Sequence, residues 1–265
     1  MSSLEDFEDD LADGYVARYT FIEPAYGEII DDTYRPGSSQ HPMDGIAPGD
    51  RLVARVYNAI RNSPLWDNSL LIVTYDEHGG FYDSGIPPQP APPPNDGTGP
   101  GQNPHNFDFS VYGVRVPTLV VSPWVAKGVV DHCLYHHGSV LATVERLYGL
   151  DPLTDRDAKA QDLRGLLTGT MRPDSDCPRV LPEVEPPADA VAGEEPAGAP
   201  DDEPIEASGN LPAFLFVARK AHRKLVGDKA ALTRFQPVRT RGDARRYLEE
   251  VMPQLEAARA AGFRG

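Results

Sequence analysis

Three side chains able to hold a metal or move a proton stand in a row in LLIVTYDEHGGFYD, residues 70–83. Asp76 and Glu77 offer oxygen donors and His78 an imidazole. Hard divalent cations take carboxylate oxygens, and zinc or iron also accepts imidazole. Two adjacent carboxylates repel unless something positive sits between them. On a continuing strand Asp76 and Glu77 would point to opposite faces. At a strand end followed by the turn that Gly79 and Gly80 permit, they can converge. The structural alternative makes Asp76 a cap and Glu77 the partner of a surface arginine. The apolar run before the pair and the Pro-rich stretch after it bring the two readings level.

Other imidazoles extend the choice. His41 lies in SSQHPMDGIAPGDR, where Pro42 pushes it out of helical geometry. It is either a solvated loop residue or a group at the same sheet edge as Asp76. Asp131, His132, His136 and His137 precede a helix in DHCLYHHGSVLATVERL. Structural and active-site roles stand equal for His137. Ser139 lacks the Gly-x-Ser-x-Gly elbow of a serine nucleophile and reads better as a helix cap.

The elements that must carry these residues alternate. Residues 15–24 read as a strand ended by Pro24, and 48–63 as a helix with Leu52, Val53, Val56, Tyr57 and Ile60 on one stripe. Residues 69–76 and 114–124 are short apolar runs that suit strands buried on both faces, as in a parallel sheet. Residues 137–150 read as a helix stopped at Gly149. This order gives a layered α/β sheet, and ligands of such sheets bind beyond the carboxyl ends of the strands. Residues 83–112 carry eight prolines and form neither helix nor central strand. The loop is either the wall or lid of a pocket or a surface excursion.

Composition divides the chain into 1–172, a globular domain; 173–210, an acidic Pro/Ala-rich linker; and 211–265, a basic helical tail. The tail could touch an acidic membrane surface, although a solvated helical pair is the plainer reading. A net charge of -15 disfavours nucleic acid as a partner. Cys133 and Cys177 show neither metal-ligand nor disulfide spacing. No run is long and apolar enough to span a membrane, and the acidic start is unlike a signal peptide. A complete chain of this kind would stay in the cytoplasm.

The blocks SQHPMDGIAPGDRLVARVYNAIRNSPLWDNSLLIVTYDEHGGFYD, YGVRVPTLVVSPWVAKGVV and YHHGSVLATVERLYGL resemble, in that order, the bacterial phosphoesterase family. That family groups phosphatidylcholine-type phospholipases C, related acid phosphatases and plant non-specific phospholipases C. The resemblance covers about residues 5–160. It implies an alkaline-phosphatase-like layered sheet with helices on both faces, here only the C-terminal part, plus the helical tail. It implies that His41 and His137 are catalytic, and that Asp76 and Glu77, with His78, bind a divalent metal: Ca, Mg, Mn, Zn or Fe. The substrates implied are phosphate esters, including phospholipids, attacked at phosphorus by a hydroxyl while metal holds the phosphoryl oxygens.

The sequence departs from the family pattern in three places. The ENRSFD-like block that supplies a Glu-Asn metal pair and the hydroxyl nucleophile is not found in these residues. Ser84 follows Asp83 where His is common, and position 136 is His where Asp is usual. The expectation is therefore half of a site, completed by a second polypeptide or by an upstream reading frame. A signal-bearing upstream half would make the protein exported. The alternative is a non-catalytic remnant that binds metal or phosphate.

Overall fold

The computed structural model describes residues 4–29, 34–42, 45–103, 105–182, 200–205, 210–227 and 238–261. Most of the acidic stretch expected as a linker, residues 183–199 and 206–209, lies outside the described residues. The described helices are α1 (Leu4–Asp13), α2 (Ile46–Asn62), α3 (Gly138–Tyr148), α4 (Asp155–Ala158), α5 (Asn210–Val226) and α6 (Arg241–Ala260). The strands are β1 (Leu71–Thr74) and β2 (Thr118–Val121). The chain divides into two compact units: Met1–Phe7, Ile22–Val53 and Glu183–Gly265 in the first, Glu8–Phe21 and Ala54–Pro182 in the second. The division falls within α1 and α2.

In the second unit β1 and β2 pair antiparallel, with Leu71 opposite Val121 and Thr74 opposite Thr118. The two threonine hydroxyls close the end of the ladder at 2.8 Å. The chain is thus mixed helix and sheet, as the alternation predicted. The pairing differs from the parallel arrangement expected of buried apolar runs. Burial also differs, for Leu119 is 59% exposed. A continuous apolar run fits a strand that is covered on both faces, but it does not choose the direction of its neighbour. Residues 15–24, expected as a strand, run without a ladder partner among the described residues. Val16 and Phe21 are exposed there, so alternation has no apolar face to bury against.

The stripe predicted on α2 is present, with Val56 and Tyr57 buried. It also carries Arg61, four residues beyond Tyr57 and only 3% exposed. Arg61 donates from Nε and Nη2 to the Cys177 carbonyl at 3.1 and 2.9 Å and pairs with the Asp174 carboxylate. Its guanidinium lies 5.1 Å from the centre of the Trp66 ring. The Tyr57 hydroxyl donates to the Pro178 carbonyl at 2.6 Å, and Leu181 N donates to Asn58 Oδ1 at 2.8 Å. Residues 174–181, grouped by composition with the acidic stretch, are thereby fastened to α2. Tyr57, Trp66 and Cys177 form a small core with Leu71 and Val121 of the two strands packed against it.

The first unit is built on α5 and α6. Leu211, Leu215 and Ala218 of α5 pack with Ala244, Tyr247, Leu248, Val251 and Leu255 of α6 and with Ile29 and Tyr34. The spacing of these residues at three and four is the period of a helix face. Thr240 and Asp243 cap α6 reciprocally: Asp243 N donates to Thr240 Oγ1 and Thr240 N to Asp243 Oδ2, both at 3.1 Å.

Arg61→Met keeps the stem of the side chain and removes the guanidinium. A hydrogen bond from a charged donor contributes about 1.5–3 kcal/mol, and the Cys177 carbonyl would be left without it. Urea unfolding followed by tryptophan fluorescence reports on the second unit, which holds Trp66 and Trp124. The variant is expected to lose about 2–3 kcal/mol, and an unchanged midpoint would contradict this placement of Arg61.

Candidate active site at the end of the first strand

β1 delivers Asp76, Glu77 and His78 just beyond its carboxyl end, as expected. Asp76 and Glu77 are exposed and His78 is half-buried. The turn that follows uses positive φ at Gly79 (66°) and Gly80 (75°), the region where a Cβ is unfavourable. Each acid ties one oxygen to the backbone: Glu77 N donates to Asp76 Oδ1 at 3.0 Å, and Gly79 N to Glu77 Oε2 at 2.7 Å. The other oxygen of each carboxylate accepts no hydrogen bond among the described residues. His78 Nδ1 donates to the Phe81 carbonyl at 2.9 Å.

His137 meets this turn from a different part of the chain. Its Nε2 donates to the Asp76 carbonyl at 3.0 Å. A carbonyl only accepts, so Nε2 carries the proton and Nδ1 is the free base in the neutral ring. The ring is therefore held against the backbone of the turn that carries the exposed Asp76 and Glu77. His41 belongs to the first unit, where its ring stacks on Tyr34 with centroids 3.7 Å apart. Its backbone N–H donates to Ser39 Oγ at 3.3 Å.

The start of α3 fixes His137. Ser139 is buried, and its hydroxyl accepts the His136 N–H at 3.0 Å. It sits inside the first turn instead of at the N-cap position, which His137 occupies. His136 Nδ1 in turn accepts the Gly138 N–H at 3.1 Å. Thr143 Oγ1 donates to the Ser139 carbonyl at 2.6 Å and accepts the Leu163 N–H at 2.9 Å. At the other end Gly149, with φ 68°, gives the left-handed stop predicted from sequence. Arg146 holds the following loop through the carbonyls of Ala158 and Ala160 and the Asp162 carboxylate.

Two polar pairs escaped the sequence. Asp83 forms a bidentate pair with Arg115, Nε to Oδ2 at 2.8 Å and Nη2 to Oδ1 at 2.6 Å. The guanidinium and the Gly85 N–H hold the Asp83 carboxyl far below the usual carboxylate range. A Cβ on Gly85 would come within 2.7 Å of the guanidinium carbon, so glycine makes room for the pair. The available signal was only Asp-Ser-Gly after an aromatic run and an arginine just before an apolar strand.

The Pro-rich loop is the second case. Arg156 of α4 donates to the Phe109 carbonyl at 2.7 Å and lies over the Tyr112 ring. Asp155 N donates to the Pro94 carbonyl at 2.9 Å, and Ala91 N to the Ser110 carbonyl at 2.7 Å. The loop is thus tied to α4.

Among the described residues no three His, Cys, Asp or Glu side chains gather closely enough to hold a metal ion. Asp76 and Glu77 have the donor chemistry of a hard cation site. Two oxygens fall short of the six to eight that Ca²⁺ takes or the six of Mg²⁺.

Comparison with known proteins supplies the class. The phosphoesterase family profile matches residues 1–151, and the chain belongs to that family. It is 42% identical over 191 residues to non-specific phospholipase C6 of Arabidopsis thaliana, covering 68% of this chain and 36% of that protein. It is 34% identical over 119 residues to the hemolytic phospholipase C of Pseudomonas aeruginosa, covering 42% of this chain and 16% of the relative. With phospholipase C B of Mycobacterium tuberculosis (strain ATCC 25618 / H37Rv) it shares 28% over 166 residues, 55% of this chain and 32% of the relative. The chain therefore spans about a third of the plant and mycobacterial relatives and less of the Pseudomonas one.

His136 gives this region a pH dependence. Burial, and then the Arg156 charge, lowers its pKa. The unfolded residue takes up a proton near 6.5, which the folded one resists. Stability is thus complete above about 6.5, falls as pH drops through that value, and levels off below the lowered folded value. Asn at 136 can accept the Gly138 N–H without titrating. Melting temperatures of wild type and His136→Asn should diverge in favour of the variant as pH falls from neutral to 5. A difference constant with pH would contradict this account.

Proposed function

We propose that this chain carries part of the active centre of a phosphate-ester hydrolase of the phospholipase C type. The hydrogen bond from His137 Nε2 to the Asp76 carbonyl carries the reading, because it holds an oriented imidazole to the backbone of the turn bearing the exposed Asp76 and Glu77. A proton arriving at Nδ1 makes an imidazolium whose Nε2–H still donates to that carbonyl. The ring can therefore receive a proton from an attacking hydroxyl or pass one to the leaving alcohol oxygen as the P–O bond breaks. His41 is proposed as a second catalytic imidazole on the family resemblance alone.

Asp76 and Glu77, with His78, are proposed as the chain's share of a divalent metal site, their free carboxylate oxygens supporting that role. A metal held there would supply Lewis-acid stabilisation of the phosphoryl oxygens. The remaining ligands and the attacking hydroxyl would come from another stretch of polypeptide. We also propose that β1 and β2 belong to a larger, alkaline-phosphatase-like layered sheet in the whole enzyme. The substrate class proposed, phospholipids and related phosphate esters, follows the names of the relatives.

Phosphate release from p-nitrophenyl phosphate and phosphocholine release from phosphatidylcholine test the proposal. Turnover is expected once the chain is joined to the stretch that supplies the hydroxyl and the remaining ligands, and His137→Asn in that joined protein should lower kcat by on the order of 100-fold or more. A folded joined protein inert on both esters, or a fully active His137→Asn variant of it, contradicts the proposal.

The second reading is a metal- or phosphate-binding module without turnover. The two-oxygen donor set lacking a third described ligand favours it. Calorimetry with Mg²⁺, Ca²⁺, Mn²⁺ and Zn²⁺ should give heats that Asp76→Ala abolishes. Equal heats in both proteins would remove the metal site from either reading.

A further inference from the structure

The chain has a net charge of -15, yet α5 reads NLPAFLFVARKAHRKLV, with Arg219, Lys220, Arg223 and Lys224 and no acid. Its inner face is committed to the core through Leu211, Leu215 and Ala218. Its outer face exposes two apolar side chains beside those cations: Phe216, 68% exposed, and Val217, 47% exposed.

A cavity of about 490 Å³ opens next to them, with Ile205, Pro212, Leu215, Phe216 and Val238 as its apolar walls and Arg219 and Arg239 as its charged ones. Arg219 is steadied by the Tyr247 ring, 5.5 Å from the guanidinium carbon to the ring centre. Residue 239 is fixed by its backbone, the Ile205 N–H donating to its carbonyl at 3.0 Å and its own N–H donating to Asp243 Oδ2 at 3.0 Å. Neither guanidinium pairs with a carboxylate among the described residues.

We propose that the outer face of α5 and this cavity dock on an anionic phospholipid bilayer. Arg219 and Arg239 take a lipid phosphate, and Phe216 and Val217 sit at the level of the upper acyl chains. The charge of the patch is complementary to an anionic surface. An acidic polypeptide would satisfy the guanidiniums but leave an exposed aromatic and valine in water. A bilayer takes both, as it does for amphipathic helices that lie in the interface. The inference stands apart from the hydrolase reading, because binding is measured without turnover.

Flotation of the full chain with vesicles of phosphatidylcholine, with and without phosphatidylglycerol, tests it. Wild type should float with the mixed vesicles only, and less so as salt is raised. The double variant Arg219→Gln/Arg239→Gln should bind about 30-fold more weakly, since each cation near an anionic surface contributes a few-fold. Phe216→Ser should weaken binding several-fold, and Lys127→Gln, a surface cation of the second unit, should leave it unchanged. Circular dichroism checks that each variant is folded. Failure of wild type to float, floating of the double variant like wild type, or equal loss in Lys127→Gln overturns the proposal. Tighter binding to poly-glutamate or to glycerophosphoglycerol, the deacylated head group, than to the mixed vesicles also overturns it, pointing to an acidic peptide or a free phosphate as the occupant.

Discussion

One hydrogen bond ties the candidate site together, from His137 Nε2 to the Asp76 carbonyl. The residues lie 61 positions apart, so nothing local holds them. β1 must end where it does, and α3 must begin where it does, for the bond to form at 3.0 Å. The strand end depends on its pairing with β2 and on two glycines with positive φ. The helix start depends on His136, whose Nδ1 takes the Gly138 N–H, and on Ser139, whose hydroxyl takes the His136 N–H just before the helix. The polar contacts of the second unit thus converge on the bond that holds one imidazole to the backbone of the acidic turn.

Much of this was legible in the residues themselves. The helices over 48–63 and 137–150 follow from apolar spacing, and α3 stops at Gly149 because a left-handed residue ends it. The three groups beyond β1 were visible as an abrupt change from apolar to ionisable residues. The partners of those groups were not visible. Tyr34 beneath His41, the Phe81 carbonyl on His78 and Arg115 on Asp83 are tertiary contacts that leave little trace in spacing. Strand direction was hidden for a similar reason, since an apolar run signals burial and not the sense of its neighbour. Ser139 shows the limit of local rules. Its type suits a cap, but the helix starts at Gly138, so the cap position falls on His137.

Arg61 shows how misleading a stripe can be. It occupies an apolar face of α2, where a charge would normally count against a buried helix. The Cys177 carbonyl and the Asp174 carboxylate satisfy it, and the Trp66 ring covers it. Cysteine spacing gave Cys177 no metal or disulfide role, and its side chain packs in the small core with Tyr57 and Trp66. Its backbone carbonyl is what matters, because it receives the buried guanidinium.

The central claim is that the Asp76 carbonyl fixes His137 as a proton-transferring group in a centre that receives phosphate. Histidine nitrogen NMR, with the His137 signals assigned by comparison with His137→Asn, tests it most directly. The account predicts that Nε2 carries the proton in the neutral tautomer and that the Nδ1 signal moves when inorganic phosphate is added. A ring protonated at Nδ1 and indifferent to phosphate would contradict it.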